Sequence, residues 1–247
     1  MSEKLNKISI LPVPESELSK KVQVAEMFDS ISGKYDFLNH FLSLGIDIQW
    51  RKKAIKSLKN KNPKTILDVA TGTGDFAISA LKLNPNEIIG VDISKGMLKI
   101  GKKKIKEKQL EDKIRLTLGD SENLPFEDNQ FDAITCAYGV RNFENLKKGL
   151  TDMHRVMKTN GKLAILEFSK PKYFPVKQIY STYFKYILPW IGKTFSKNKD
   201  AYTYLPKSVS VFPEREEFCK ILEECGYKNV TFKPLTFGIT TLYNAEK

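Results

Sequence analysis

The stretch ILDVATGTGDF, Ile66 to Phe76, places an acid ahead of two glycines and a second acid directly behind them. Gly72, Gly74 and Ala77 fit G-x-G-x-x-G/A after an apolar run, and Asp92 lies 20 residues beyond Gly72. Glycines at such a turn let a ligand approach bare backbone. An acid ending the following strand accepts hydrogen bonds from both hydroxyls of a ribose. A third acid, Asp120 in LGDSENLPF, closes the next predicted strand, within reach of an adenine amino group. Three acids at three successive strand ends predict a nucleoside site.

The charges choose between nucleosides. A pyrophosphate sits on helix N-terminal amides and is repelled by carboxylates, and here Asp68 and Asp75 flank the loop. S-adenosylmethionine presents an ammonium and a sulfonium, which suit both acids. The spacing therefore predicts S-adenosylmethionine ahead of NAD. The plainer reading makes Asp68 a solvated loop acid and Asp75 a helix N-cap.

A second constellation lies in CAYGVRNFEN, where Arg141 and Asn142 follow the fourth predicted strand. Strand carboxyl ends are where α/β sheets hold ligands. A guanidinium there stabilises an oxyanion as it forms, and an amide orients that oxygen or a bridging water. The plainer reading pairs Arg141 with Glu144 to hold the turn. Tyr138 either walls the same pocket or belongs to the core. The chain has two histidines. His154 reads as a packing or surface residue, His40 is not assigned a substrate contact, and no general base is named.

These residues need a scaffold that brings strand ends together. From residue 64 onward, short β-branched runs alternate with helical patterns, the signature of a parallel sheet with crossover helices. Strands are predicted at Thr65–Ala70, Ile88–Ile93, Ile114–Leu118, Ala133–Ala137 and Lys162–Phe168, with helices at Asp75–Leu83, Lys95–Lys108 and Leu146–Met157. A closing pair, Asn229–Pro234 and Ile239–Asn244, is joined too tightly for a crossover helix, so the last strand is predicted antiparallel. FPEREEFCKILEECG marks a helix with Pro213 in its first turn and Gly226 at C′. Upstream, helices at Val22–Ser30 and Ile48–Lys59 flank a Tyr-Asp-x-x-Asn turn. The domain reading is a loose tail over 1–21 and a single domain over 22–247, with a helical cap at 22–61 and a basic aromatic insertion at 170–212.

Bulk properties narrow the partners. The 247 residues carry a net charge of +12, which asks for nucleic acid or an anionic membrane surface. Lys170 to Asp200 holds seven lysines and one acid, a net +6, among many aromatic residues. Lys177, Ser181 and Lys185 form a polar stripe there, with Ile179, Tyr183, Tyr186 and Trp190 on another face. No Asn/Asp-Pro-Pro-Tyr motif, catalytic cysteine or added RNA-binding domain accompanies this charge, so a membrane surface is expected and nucleic acid is not. Oligomerisation is left open. Cys136, Cys219 and Cys225 form no CxxC pair, which suggests a reducing cytoplasm and argues against structural zinc. Met1–Leu11 lacks an apolar core segment and a cleavage site, so no signal peptide is read. No run approaches the ~18 apolar residues of a spanning helix. The expected location is the cytoplasm, peripheral to the inner face of the membrane.

From about Val24 to Lys247 the chain resembles the ubiquinone/menaquinone biosynthesis C-methyltransferases. YDFLNHFLSLGIDIQW (Tyr35–Trp50) and RVMKTNGKLAILEFS (Arg155–Ser169) are similar to two signatures of that family, in order. YTYLPKSVSVFP and LTFGITTLYNAEK resemble its C-terminal region. Departures are Leu38 for a usual Met, Asp47 for a usual His, and Thr159-Asn160 for a usual Pro-Gly. Asn tolerates the left-handed turn that Gly supplies. The resemblance implies a class I S-adenosylmethionine-dependent methyltransferase, with a Rossmann-like, mostly parallel seven-stranded sheet and an antiparallel last strand. It also implies cofactor contacts at Thr71, Asp92, Asp120 and Ser121, beside Gly72 of the loop. The implied reaction is C-methylation of a polyprenyl quinol, demethylmenaquinol to menaquinol or, alternatively, the 2-methoxy-6-polyprenyl-benzoquinol precursor of ubiquinone. Any proton-handling role of the usual His would fall to Asp47 or to water.

Overall fold

A computed structural model describes residues 10–43, 45–183, 186 and 199–247. Strands β1 (Thr65–Val69), β2 (Glu87–Asp92), β3 (Ile114–Leu118), β4 (Phe131–Ala137), β5 (Met157–Phe168), β6 (Lys228–Leu235) and β7 (Thr240–Glu246) form one sheet. Its order is β3-β2-β1-β4-β5-β7-β6. The first five strands are parallel, and β7 is antiparallel to both β5 and β6. The short turn Thr236–Gly238 leaves no room for a crossover, so β7 folds back between its neighbours.

Successive side chains point to opposite faces of a strand. Leu67, Val69, Ile89, Val91, Ile134, Cys136, Leu163 and Ile165 pack onto α5 (Leu146–Val156) and α8 (Glu216–Glu224). Ile66, Ile88, Ala133, Ala164 and Leu166 pack onto α2 (Ile46–Leu58), α3 (Asp75–Ala80) and α4 (Lys95–Glu107). Both faces are covered, which explains the nearly unbroken apolar runs of the strands. Each fully buried large aliphatic side chain stabilises the fold by about 1.5–3 kcal/mol. Ser94 and Asn145 cap α4 and α5 through side-chain bonds to the backbone N–H groups of Met97 and Lys148.

Four local expectations are corrected. The Tyr-Asp-x-x-Asn segment is not a turn, because α1 runs unbroken over Lys20–Leu42. Tertiary contacts hold it: Asp36 accepts from Thr73 Oγ1 at 2.5 Å and pairs with Lys104 at 2.6 Å. β5 begins at Met157 rather than Lys162, passing through Asn160 at φ 61°, the left-handed position that its family departure implies. Pro213 lies before α8, whose first residue is Glu216, while Gly226 takes its expected positive φ of 97°. Of the expected tail, residues 10–19 are tied to α1: Gln23 accepts from Val13 N and donates to Leu18 O. Residues 1–9, Lys185, Trp190 and the His40 side chain lie outside the described residues.

α1 packs against α7 (Lys199–Val211) through Val24, Met27, Ala201 and Tyr204. Together with α6 (Val176–Thr182) they lie over the carboxyl ends of the strands. Among the described residues, no helix is long and apolar enough to cross a membrane.

Candidate active site

The strand order reverses between β1 and β4, which opens a crevice at their carboxyl ends. Ala70 and Tyr138 leave those strands with φ of 53° and 59°, a conformation costly for residues with a Cβ and typical of functional turns. Gly139 lets the two turns meet, since a Cβ on it would lie 2.4 Å from that of Ala70.

On the β2 side is a narrow cleft of about 70 Å³ bordered by Gly72, Asp92, Asp120, Ser121 and Asn142. Gly72, at φ 56°, donates its N–H to Asp92 Oδ2 at 2.7 Å, and Ser94 N donates to Asp92 Oδ1 at 2.8 Å. Burial raises the Asp92 carboxyl despite these bonds. Asp120 accepts from Glu122 N at 2.9 Å and from Lys21 Nζ at 2.5 Å. α1 thus closes over the cleft, and its Asp29 also accepts from Ser94 Oγ and Gly96 N.

Of the acids flanking the glycine loop, Asp68 is buried and Asp75 is half-buried in ion pairs. Asp68 is 1% exposed and accepts from Thr71 Oγ1 at 2.6 Å and Thr135 Oγ1 at 2.7 Å. Burial pushes its carboxyl up to about 6. Asp75, at the first turn of α3, meets Lys104 at 2.6 Å and Arg51 at 3.8 Å.

Phe28, Tyr35, Ala70, Gly72, Ala137 and Tyr138 border both this cleft and a larger cavity of about 430 Å³. Met27, Ile31, Trp50, Phe168, Ile179 and Leu205 give the cavity apolar walls. Tyr138 stacks 4.4 Å from Phe168 and faces Trp50 at 6.3 Å. Asp47, which stands where the family usually has His, lines this cavity and is bonded by Ser43 Oγ at 2.7 Å and Arg51 at 2.6 Å.

Arg141 and Asn142 occupy opposite sides of one turn. Arg141 borders the large cavity and is buried. Its partner is Glu167 at 2.9 Å, not Glu144, which instead donates its backbone N–H to Glu122. Nη1 of Arg141 also donates to Tyr138 O, while its buried Nε has no partner among the described residues. Burial is the strongest influence and opposes its charge, but Glu167, Tyr204 and Tyr35 together outweigh it and hold the guanidinium cationic. Asn142 borders the cleft, accepts from the Tyr204 hydroxyl at 3.1 Å and donates to Tyr138 O at 3.3 Å. Lys20 fastens the turn from α1 through Arg141 O and Phe143 O.

Thr71 lies on the cavity side of the loop. Four residues escaped sequence reasoning: Lys20, Lys21, Glu167 and Tyr204. Glu167 alone left a signal, as an acid within the apolar run LAILEF. His154 borders neither cavity and packs edge-on against Tyr227 at 5.0 Å.

Residues 16–247 match the model of the ubiE/COQ5 methyltransferase family. A Bacteroides fragilis protein named demethylmenaquinone methyltransferase is 51% identical over 229 residues, covering 92% of this chain and 94% of its own. A ubiquinone/menaquinone biosynthesis C-methyltransferase from Geotalea uraniireducens is 44% identical over 234 residues, covering 94% and 98%. Among solved structures, a Thermotoga maritima S-adenosylmethionine-dependent methyltransferase, described as a possible histamine N-methyltransferase, is similar with a TM-score of 0.61 at 18% identity. That likeness covers 90% of this chain and 99% of the other, and it speaks to the fold alone. With a family model matched over nearly its whole length and a relative half identical, this chain belongs to the ubiE/COQ5 methyltransferase family.

Proposed function

We propose that this methyltransferase transfers the methyl group of S-adenosylmethionine to a ring carbon of demethylmenaquinol, giving menaquinol. The observation that carries the reading is the shared wall between a narrow cleft bordered by Asp92 and Asp120 and a larger, mostly apolar cavity bordered by the buried Arg141 guanidinium. The name of the Bacteroides fragilis relative supports the acceptor.

The cleft suits the cofactor. Asp92 would take the ribose hydroxyls, Asp120 and Ser121 the adenine side, and Thr71 and Gly72 the loop beside the methionine part. Asp75 at the start of α3 disfavours a pyrophosphate. When bound, S-adenosylmethionine supplies an electrophilic methyl group on a sulfonium.

An aromatic ring carbon becomes a nucleophile once a neighbouring hydroxyl loses its proton to water, and the ring C–H proton is lost to water after the methyl group is accepted. The acceptor is therefore the quinol and not the quinone. Arg141 is the group that stabilises the oxyanion: its guanidinium is cationic and lies in the cavity wall. One such donor is worth about 2.7–4 kcal/mol. Asn142, held by Tyr204, orients the turn from the cofactor side. Juxtaposing donor and acceptor across one wall contributes up to ~7–11 kcal/mol in well-oriented cases. The test is single-turnover methylation of chemically reduced demethylmenaquinol against its quinone and against the benzoquinol precursor of ubiquinone. Equal rates for quinol and quinone would overturn the oxyanion mechanism, and a faster benzoquinol would reassign the acceptor.

The same reading sets the protein on an anionic membrane surface. Tyr173, Phe174, Ile179 and Tyr186 are 79, 81, 65 and 60% exposed, near Lys170, Lys172 and Lys177 in the sequence. Ile179 also lines the large cavity, so an apolar tail has a route from lipid to site. Lysines near anionic lipid contribute about 1 kcal/mol each. Co-sedimentation with anionic vesicles should fall with added salt, and binding indifferent to lipid charge would sink the electrostatic part.

A further inference from the structure

Glu167, at the carboxyl end of β5, is fully buried and borders neither cavity. Three N–H groups converge on it. Arg141 Nη1 and Phe168 N donate to Oε1 at 2.9 and 2.8 Å, and the backbone N of Arg141 donates to Oε2 at 3.3 Å. Burial pushes the Glu167 carboxyl up and the guanidinium pulls it back. Three donors on two oxygens is the bonding of a carboxylate, so the pair is ionic.

A guanidinium is a planar fork. Here Nη1 is engaged twice, by Glu167 and by Tyr138 O, and the cation lies 5.5 Å over the Phe168 ring. These contacts fix its plane in the cavity wall. Such a pair is a poor source of stability, because desolvation offsets its attraction and apolar replacements are often neutral or better. One member forms part of a cavity wall, and that points to function.

We infer that Glu167 is a positioning residue for methyl transfer, gripping the Arg141 backbone and Nη1 so that the guanidinium is held in the wall of the acceptor cavity. It also balances the guanidinium charge, so that a neutral quinol does not meet an uncompensated cation in the cavity wall. The inference rests on the role proposed above for Arg141.

Two variants test it. Glu167→Asp keeps the charge but withdraws the carboxylate by one methylene, and Glu167→Gln keeps the length but removes the charge. Both are expected to melt cooperatively, with S-adenosylhomocysteine affinity and acceptor KM within about twofold of the parent. Their kcat should fall, by up to about 10²-fold for a misplacement near 1 Å. In an Arg141→Met background, neither change should slow the single-turnover rate further, because the group being positioned is gone. The inference is overturned by parental kcat in both variants, or by a rate loss that persists undiminished in the Arg141→Met background. It also falls if slow turnover merely follows collapsed melting in both variants, which would make the pair structural. If Arg141→Met itself keeps full kcat, the proposed role of Arg141 fails first. If Arg141→Met is slow and both Glu167 variants are fast, this inference alone fails.

Discussion

The narrow cleft and the larger cavity share Gly72, Ala137 and Tyr138, yet they are built by opposite means. Gly72, Asp92 and Asp120 follow β1, β2 and β3 in turn, so the parallel register of the sheet places them side by side. The cavity draws walls from α1, α2, α6, α7 and the turn before β7, from Met27 to Ile239. One site is an edge of the sheet. The other is a space left between packed segments, its mostly apolar surface interrupted by charged groups such as Asp47, Arg51 and Arg141. Changes on one side should therefore leave the other side's ligand alone.

The largest expected effect is on the acceptor side. Arg141→Met should slow single-turnover methylation by a hundredfold or more, in line with ~2.7–4 kcal/mol for a lost oxyanion donor. S-adenosylhomocysteine affinity should stay within about twofold. If both ligands bind poorly and melting collapses, the division between the two sides is broken, and Arg141 only holds its turn.

Asp68 gives the next effect, on stability. Burial raises its pKa from 3.8 to about 6 in the folded protein. The ionised form is therefore a penalty, fully present above pH 6 and relieved as pH falls toward 4, because the native state takes up the proton first. Asp68→Asn should raise stability near pH 8 by on the order of 1–3 kcal/mol, a gain that vanishes near pH 4. Urea midpoints at the two pH values measure it, and a variant less stable at the higher pH would show that the Thr71 and Thr135 bonds need the charge.

On the cofactor side, Asp92→Ala should weaken S-adenosylhomocysteine by at least tenfold, about 1.4 kcal/mol, with acceptor binding unchanged. Calorimetry reads both. Binding of NAD tighter than S-adenosylhomocysteine would overturn the assignment of the cleft. The smallest effect belongs to Lys21, whose bridges to Asp120 and Glu122 are partly exposed. Lys21→Ala should shift stability by ~1 kcal/mol or less. A larger shift would make the α1 latch a principal support of the fold.

The two regions were unequally legible in the sequence. The glycine loop, Asp92 and Asp120 lie within or just after short β-branched runs, and a period of two with a turn behind it identifies a strand end from local residues alone. The position of Arg141 followed in the same way, from the end of β4. Its partner did not. Glu144 is three residues away and was the natural candidate, whereas Glu167 is brought in by β5 pairing with β4 in parallel register.

What the sequence by itself determined, then, was the sheet, its strand-end acids and the family to which they belong, because alternation and loop chemistry are properties of neighbouring residues. Tertiary structure alone decided that α1 continues through Asp36 and lies across the glycine loop. It also decided that Arg141 and Asn142 face different spaces, a division produced by the turn that begins at Tyr138 with a φ of 59°. Local periodicity carries no information about which distant segment covers a strand end. That is set by packing, where Val24 and Met27 meet Ala201 and Tyr204 and bring the Tyr204 hydroxyl to Asn142.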